Sequence, residues 1–521
     1  MTRRASVAGL IFALATCASA QPGIRQNGVV NAASLIPPTL PGGVIARGAL
    51  FTIHGVRLGS AGHTTVTVSQ NGSATPVTAL KIDARRIDAL MPKSAPAGSS
   101  ALVVTVDGQA SKPFPMEVAA SNPGIFSRNG EGWGPGRIDN IAPSGSRSPN
   151  SIANPARPGQ RVRLVTTGLG DRKQARVIIG NRAARAGPPH ATGEAGEEAI
   201  TFQLPHDAPR GCYVPVYLQA APARASNVVT ITIGSGSGPC DAGPVPLLSS
   251  EGTGIVVLSR TRIKARRSNI ADEVEDDARI TFNKTASEPV LTPLRLLPPA
   301  GSCTAYTSSF QADTDLSTSI SSILGPGGEG LDAGGKLMLT GAGSSRSIGE
   351  SWGNPGSYRA HLGSASLDRR GPALFLEPGQ FVLRGTGGKD VGPFRASFRV
   401  PTPFDWVDRD QISVVDRSQG VTVHWRGATR DQLMAIVARN VDQITTAIGL
   451  CVCVAPASSG QFPIPAVLLA NVPTSRDIPG TPFDELVIGA LSSKLPSIQA
   501  SGLSGGFVVS IYATGRIVEY R

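Results

Sequence analysis

Aromatic residues make up 5% of the 521-residue chain and charged residues 17%. So low a charge content excludes long charged helices and coiled coils, because an ordinary globular chain carries about 25%. The four tryptophans, Trp133, Trp352, Trp406 and Trp425, are too few for a large carbohydrate cleft. They are also not interleaved with basic residues, as the stacking platforms of a nucleic-acid binder require. No stretch after the N-terminus reaches 18 uninterrupted apolar residues, so no transmembrane helix is expected. The six histidines form no HxxxH or HxH pair and read as turn or surface residues rather than metal ligands. Gly335-Lys336 and Gly388-Lys389 lack the rest of a phosphate-binding loop.

What the chain does contain is glycine and proline, 61 and 42 residues, about a fifth of the whole. That remains below the roughly 25–30% that signals low complexity. The N-terminus has the form of a secretory signal: Arg3 and Arg4, an apolar Val7-to-Ala15 run, then Ala18-Ser19-Ala20. Cleavage is expected before Gln21, which places the protein outside the cell, on its surface or in the periplasm. Leu14-Ala15-Thr16-Cys17 half resembles a lipobox, but threonine before the cysteine fits poorly. Five cysteines follow, Cys212, Cys240, Cys303, Cys451 and Cys453. An exported chain permits disulfides, with Cys212–Cys240 or Cys303–Cys451 as candidates, and an odd count leaves one thiol over.

Short runs of Val, Ile and Thr alternate with Gly, Pro, Ser and Asn clusters, the punctuation of an all-β protein. Thr64 to Val68, Ala101 to Val106, Asn227 to Ile233, Gly254 to Leu258, Gly420 to Trp425 and Phe507 to Ala513 are expected strands. A diffuse repeat is present in the first half. Ile87-Asp88-Ala89-Leu90-Met91-Pro92 is echoed 113 positions later by Ile200-Thr201-Phe202-Gln203-Leu204-Pro205. Ala95-Pro96-Ala97-Gly98 is likewise matched by Ala208-Pro209-Arg210-Gly211. About 110 residues is the size of one immunoglobulin-like sandwich.

Gly28-Val-Val-Asn-Ala-Ala-Ser34, Phe51-Thr-Ile-His-Gly55 and Pro123-Gly124-Ile125-Phe126 then appear in order, followed by Thr167-Gly168-Leu169-Gly170 and Ser226-Asn227-Val228-Val229. Residues 24–234 thereby resemble tandem IPT/TIG-like repeats of secreted proteins of acidobacterial type. The resemblance implies immunoglobulin-like folds and extracellular residence, and brings no catalytic residues with it. The arginine load between Arg137 and Arg185 departs from the family pattern. Its ten basic residues, Arg137, Arg147, Arg157, Arg161, Arg163, Arg172, Lys173, Arg176, Arg182 and Arg185, are opposed only by Asp139 and Asp171. They form a candidate surface for acidic polysaccharide or anionic cell-envelope material.

Ser235-Gly-Ser-Gly and Gly-Pro-Val-Pro read as a linker, and the rest is too long for one sandwich. The expected layout is a signal peptide over 1–20, immunoglobulin-like repeats over 21–120 and 121–234, and a linker over 235–248. Two β modules follow, over 249–400 and 401–521. Leu433, Ile436, Val437, Val441 and Ile444 fit a helix over Arg430 to Ile444. The competing reading pairs Leu433-to-Ala438 with Thr445-to-Val454 as a hairpin. Gly460-Gln-Phe-Pro-Ile-Pro465 favours β, so the hairpin is expected.

Candidate chemistry is thin. Gly502-Leu-Ser504-Gly-Gly506 spells GxSxG, but a strand rather than a helix follows it and no histidine comes after. Gly325-Pro-Gly327-Gly-Glu-Gly330 spells GxGxxG without a helix to complete a dinucleotide site. Asp313-Thr-Asp315 and Asp405-Trp-Val-Asp-Arg-Asp410 offer oxygens for calcium but lack an EF-hand pattern. Arg260, Arg262, Lys264 and Arg266 alternate, with Arg267 beside them and Asp272 to Asp277 downstream, as in a self-neutralising hairpin. No catalytic, cofactor or metal residues are assigned. The expected function is non-catalytic binding, adhesion or scaffolding at the cell surface. The competing reading is an exported glycan or ester hydrolase with its active site in 249–521 and the repeats as accessory modules.

Overall fold

The computed structural model describes residues 21–170, 175–221, 224–234, 240, 251–265, 272–284, 297–309, 328–341, 343–365, 372–476 and 484–521. The signal peptide with Cys17, most of the 235–248 linker, Arg172, Lys173, Arg266, Arg267, Asp313, Asp315 and Gly325 to Gly327 lie outside these residues. Within them the chain is all-β but for one short α-helix, Ala466–Leu469, and each of the six expected strands is present, with bounds lengthened, shortened or shifted by a few residues.

The first repeat is an immunoglobulin-like sandwich. Gly23–Asn31, Leu50–Val56 and Arg86–Leu90 pair in that order with the second half of Ser73–Ile82. The first half of Ser73–Ile82 instead pairs with Thr64–Gln70, which continues to Gly98–Val106, Phe114–Ala119 and Ile45–Ala46. One strand thus crosses between an A-B-E-D sheet and a C-F-G sheet between Val77 and Thr78, just before a register shift at Ala79 to Lys81. The period-2 pattern sets what is buried: Phe51, Ile53, Ile87, Ala89, Leu102 and Val104 face inward at 0% exposure.

The second repeat has the same order. Ile138–Ile141, Arg161–Thr167, Glu198–Gln203 and His190–Ala191 form one sheet. Arg182–Arg185, Arg176–Ile179, Gly211–Ala221 and Val229–Ile233 form the other. The 113-residue echo marks equivalent strands, since Ile87 and Ile200 are both fully buried in the fifth strand (E) of their sandwiches.

The short motifs in both repeats serve as clamps. Asn31 Oδ1 accepts the Ala33 and Ser34 N–H groups, closing the turn of Asn-Ala-Ala-Ser. Asn227 Oδ1 accepts the Ile125 N–H, and its amide donates to the Ile125 and Gly132 carbonyls, pinning the Pro-Gly-Ile-Phe corner. Gly170 has φ +64, and a Cβ there would lie 2.0 Å from the Ala120 carbonyl oxygen. Thr-Gly-Leu-Gly therefore needs its last glycine to let the second sandwich close onto the chain leaving the first.

Beyond the repeats, a large sheet runs Ser302–Ser309, Ala447–Pro456, Gln432–Asp442, Glu485–Ser492, Gly505–Ile517, Thr253–Lys264 and Glu273–Lys284. The hairpin reading of 433–454 is the one observed, with Ile436 opposite Cys453. The boundary expected at Val400 separates no sheets, because Thr253–Lys264 lies parallel to Gly505–Ile517 over its whole length. The first and last long strands of the region close one sheet, a non-local pairing invisible to local composition. A four-stranded sheet, Ser344–Gly349, Lys336–Gly341, Gly379–Gly385 and Phe394–Val400, packs on it through Leu337, Leu339, Phe381 and Phe398. Trp406 and Trp425 oppose one another on a smaller sheet and are buried, as expected of core packing.

The second repeat docks on this region. Ile178, Tyr217, Ala225 and Val228 join the cluster built on Trp406, Met434 and Ile488. The Cys212–Cys240 bridge forms as expected, and Cys240 is buried against Tyr306 and Val452. The Cys303–Cys451 candidate is corrected: Cys303 bonds Cys453, directly opposite it, while Cys451 faces Ala305. Cys451 is the free thiol, fully buried, and burial pushes its pKa up to about 12. A thiol reagent is expected to find no reactive group in folded 21–521. After unfolding without reductant it should find one per chain, and two or more would overturn the pairing.

Candidate functional site

The eight described basic residues of this group do not form one surface. Arg147, Arg161 and Arg163 project from the outer face of the A-B-E-D sheet of the second repeat, with Arg157 in the loop before it. Arg176, Arg182 and Arg185 belong to the opposite sheet. Sheets of a sandwich are about 10 Å apart, so Arg176 and Arg185, on the face of Ile178, look away from the first set, whereas Arg182 stands opposite the inward-facing Ile179.

Part of the charge is spent internally. Arg137 makes a bidentate pair with Glu197 (2.6 and 3.0 Å) and stacks over Phe126. Arg163 meets Asp139 at 3.3 Å, and Arg182 meets Asp207 at 2.5 Å. Arg147, Arg157, Arg161, Arg176 and Arg185 are not buried and have no carboxylate partner among the described residues. Arg176 and Arg185 are directly opposed across the ladder and both exposed. Like charges in that position destabilise a sheet.

The self-neutralising hairpin is present, in altered detail. Arg260 and Asp276 are opposed and bonded through two N–H···O contacts of 2.7 and 2.9 Å. Hydrogen bonding to Asp276 raises the Arg260 pKa above its ordinary value. Arg262 pairs with Asp272 at 3.2 Å. Lys264 does not pair across the hairpin but reaches Asp410 at 2.7 Å, and Arg409 joins Asp272 at 3.0 Å. The basic ladder is thereby tied to the 405–410 loop, and these groups are unavailable to a ligand.

The catalytic strings resolve as turns. The Ser504 hydroxyl donates to the Gly252 carbonyl (2.7 Å), and the strand Gly505–Ile517 follows it, so it is no nucleophile elbow. Gly330 sits in the short strand Glu329–Gly330 rather than at a helix start. The carboxylates of 405–410 have other partners: Asp405 holds Arg426, Asp408 holds His424 and the Trp406 indole, and Asp410 holds Lys264.

One concave feature escaped the sequence. A cavity of about 310 Å³ lies where both repeats meet the C-terminal region, lined by Pro38, Val44, Glu117, Arg224, Arg417 and Asp442, with Arg476 beside them. Asn27 donates to Thr445, and Gln26 donates to the Ile444 carbonyl at 2.7 Å, fixing the first repeat on the 443–446 turn. Burial lowers the Arg417 pKa, while its N–H groups reach the Val472 and Arg521 carbonyls. Burial tends to raise the Asp442 carboxyl. The Ile444 and Thr445 N–H groups and Arg476 nevertheless hold it below its ordinary value. These residues come from three distant parts of the chain, so no local spacing could have joined them.

No protein-family model matches the chain, and a sequence comparison with curated proteins finds no match. Among solved structures it is similar to a Bacteroides ovatus SGBP-B from a mixed-linkage glucan utilization locus, in complex with a heptasaccharide. Identity there is 13%, coverage 77% of this chain and 78% of that one, and TM-score 0.14. A Bacteroides uniformis xyloglucan-locus SGBP-B matches at 12% identity, 72% and 96% coverage and TM-score 0.18. A calcium-stabilized ice-binding adhesin from an Antarctic bacterium matches at 12% identity, 95% and 99% coverage and TM-score 0.12. Likenesses this low carry no assignment of function, and the immunoglobulin-like architecture stands on the strand topology itself.

Proposed function

We propose that the protein is an exported, non-catalytic binding protein whose second repeat holds an acidic polysaccharide or other anionic cell-envelope polymer. Its repeats, in this reading, are of the IPT/TIG-like kind that their clamp motifs resemble. The observation that carries the proposal is the exposed Arg176–Arg185 pair, opposed across a ladder without a neutralising carboxylate among the described residues. An arrangement that costs the free protein stability is accounted for when an anion bridges the two guanidinium groups. The outer edge of this sheet stays open while Ile178 and Tyr217 anchor the same face to the C-terminal region.

Full-length 21–521 is expected to bind a polygalacturonate matrix at low salt and to elute as screening rises. The Arg176→Ala/Arg185→Ala variant should elute at markedly lower salt while melting no lower than the parent. Arg426→Ala, which removes an exposed arginine outside the repeats, should elute unchanged. Equal elution of parent and double variant would remove this face from the proposal, and no retention at low salt would overturn the proposal itself.

A further inference from the structure

A second concavity lies in the C-terminal region, away from the arginines of the repeats. It has a volume of about 270 Å³ and forms where Gln432–Asp442, Glu485–Ser492 and Gly505–Ile517 lie side by side under the end of Phe394–Val400. Register fixes its floor, because Gln432 and Ser492 are directly opposed and Ser510 stands on the adjoining strand. Phe398, Pro401, Leu495 and Pro496 give it apolar walls.

The polar groups on the walls are of mixed kind and balanced charge. Arg399 and Asp431 contribute one charge of each sign and are both exposed. Gln432 is 6% exposed, and its Oε1 accepts the Thr429 N–H at 2.7 Å. That bond orients the side chain and leaves its amide donor without an acceptor among the described residues. Ser510 is 9% exposed, and its hydroxyl has no hydrogen-bond partner among the described residues. A buried hydroxyl without a partner costs free energy that a ligand hydroxyl can restore.

We propose that this cleft binds one neutral sugar ring, either free or as the terminal residue of a glycan. A pyranose presents apolar C–H faces to proline and leucine and a rim of hydroxyls that both donate and accept. The walls offer that combination: apolar surfaces, a carboxylate acceptor, guanidinium and amide donors, and a hydroxyl. The volume is just below the roughly 300–1,000 Å³ of pockets for drug-sized ligands, space for a single ring. Net neutrality disfavours an anion. A single carboxylate among the described residues lines the cleft, whereas glycoside hydrolysis ordinarily uses two, so the proposed site is one that binds without cleaving. The small size also agrees with the scarcity of aromatics, which speaks against a large carbohydrate cleft and not against a one-ring subsite.

The test is ligand-observed NMR and calorimetry on 21–521 with glucose, galactose, mannose and N-acetylglucosamine, and with β-1,3- and β-1,4-linked oligosaccharides of each. At least one neutral sugar is expected to bind, with its terminal ring giving the strongest saturation transfer. Ser510→Ala and Asp431→Asn should each weaken binding by about tenfold. Thr402→Trp, which fills the mouth from an exposed position, should abolish it without lowering the melting temperature. Arg176→Ala/Arg185→Ala should bind the sugar as the parent does, which separates this site from the anionic one. Absence of binding across the panel, or binding indifferent to all three cleft variants, would overturn the proposal.

Discussion

Asp276→Ala is expected to cost about 3–5 kcal/mol of stability, the range for removing one partner of a buried ion pair. Asp276 is 0% exposed and accepts four donors: Arg260 through two nitrogens, and the backbone N–H groups of Phe375 (2.6 Å) and Leu376 (2.8 Å). Alanine leaves a guanidinium that is itself 8% exposed with Glu377, at 3.0 Å, as its remaining carboxylate partner, and strands two backbone donors. Asp276→Asn should lose less, because the amide keeps one accepting oxygen and the shape. Arg260→Met/Asp276→Leu should recover only part of the loss, since it removes the charge pair but leaves the Phe375 and Leu376 N–H groups unmet. Denaturant unfolding followed by the fluorescence of the C-terminal tryptophans reads the effect. A loss below about 1 kcal/mol for the alanine variant would show that the pair is a net-neutral ornament of the hairpin.

Loss of the Cys303–Cys453 bridge should be comparably severe. It joins residues 150 apart in sequence, whereas Cys212–Cys240 joins residues 28 apart. On chain-entropy grounds the first constrains the unfolded chain by about 5 kcal/mol and the second by about 3.5 kcal/mol. Cys303→Ala/Cys453→Ala should therefore lower the unfolding midpoint more than Cys212→Ala/Cys240→Ala does. The reverse order would show that native packing around Cys240 outweighs loop closure. In a Cys453→Ala variant, Cys303 should remain a thiol rather than capture Cys451, because the ladder sets Cys451 against Ala305. Peptide mapping under non-reducing conditions distinguishes the two.

The cysteine error shows where sequence reading stops. Cys451 and Cys453 are two residues apart and share a face, so alternation alone treats them as equivalent partners for Cys303. Register decides between them, and register depends on where the neighbouring strand begins. The hairpin over 433–454 was legible for a different reason. The Gly460-to-Pro465 segment tipped a helix-compatible spacing toward strands, and the structure closes the turn at Asp442, whose carboxylate accepts the Ile444 and Thr445 N–H groups. The division at Val400 failed because the strands that close the large sheet lie at the two ends of the region. Neither surface proposed for ligands could be assembled from spacing. The described basic residues of 137–185 are spread over both sheets of the sandwich and its loops, and the sugar cleft draws on four strands and the loops between them.

The amino-acid sequence by itself determined the all-β class, the two tandem sandwiches and the neutralised hairpin at 260–276. Each follows from short-range physics: period-2 burial, turn residues that accept positive φ or cap a bend, and opposite charges spaced to meet across a short turn. The 113-residue echo survives for the same reason, since equivalent strands need equivalent buried residues at equivalent positions. Tertiary structure alone decided which cysteines meet, which arginines remain unpaired, and where the chain encloses a cavity. Those outcomes depend on pairings between residues scores to hundreds of positions apart. Such pairings are fixed only when every strand competes for neighbours at once, and no local pattern records the result.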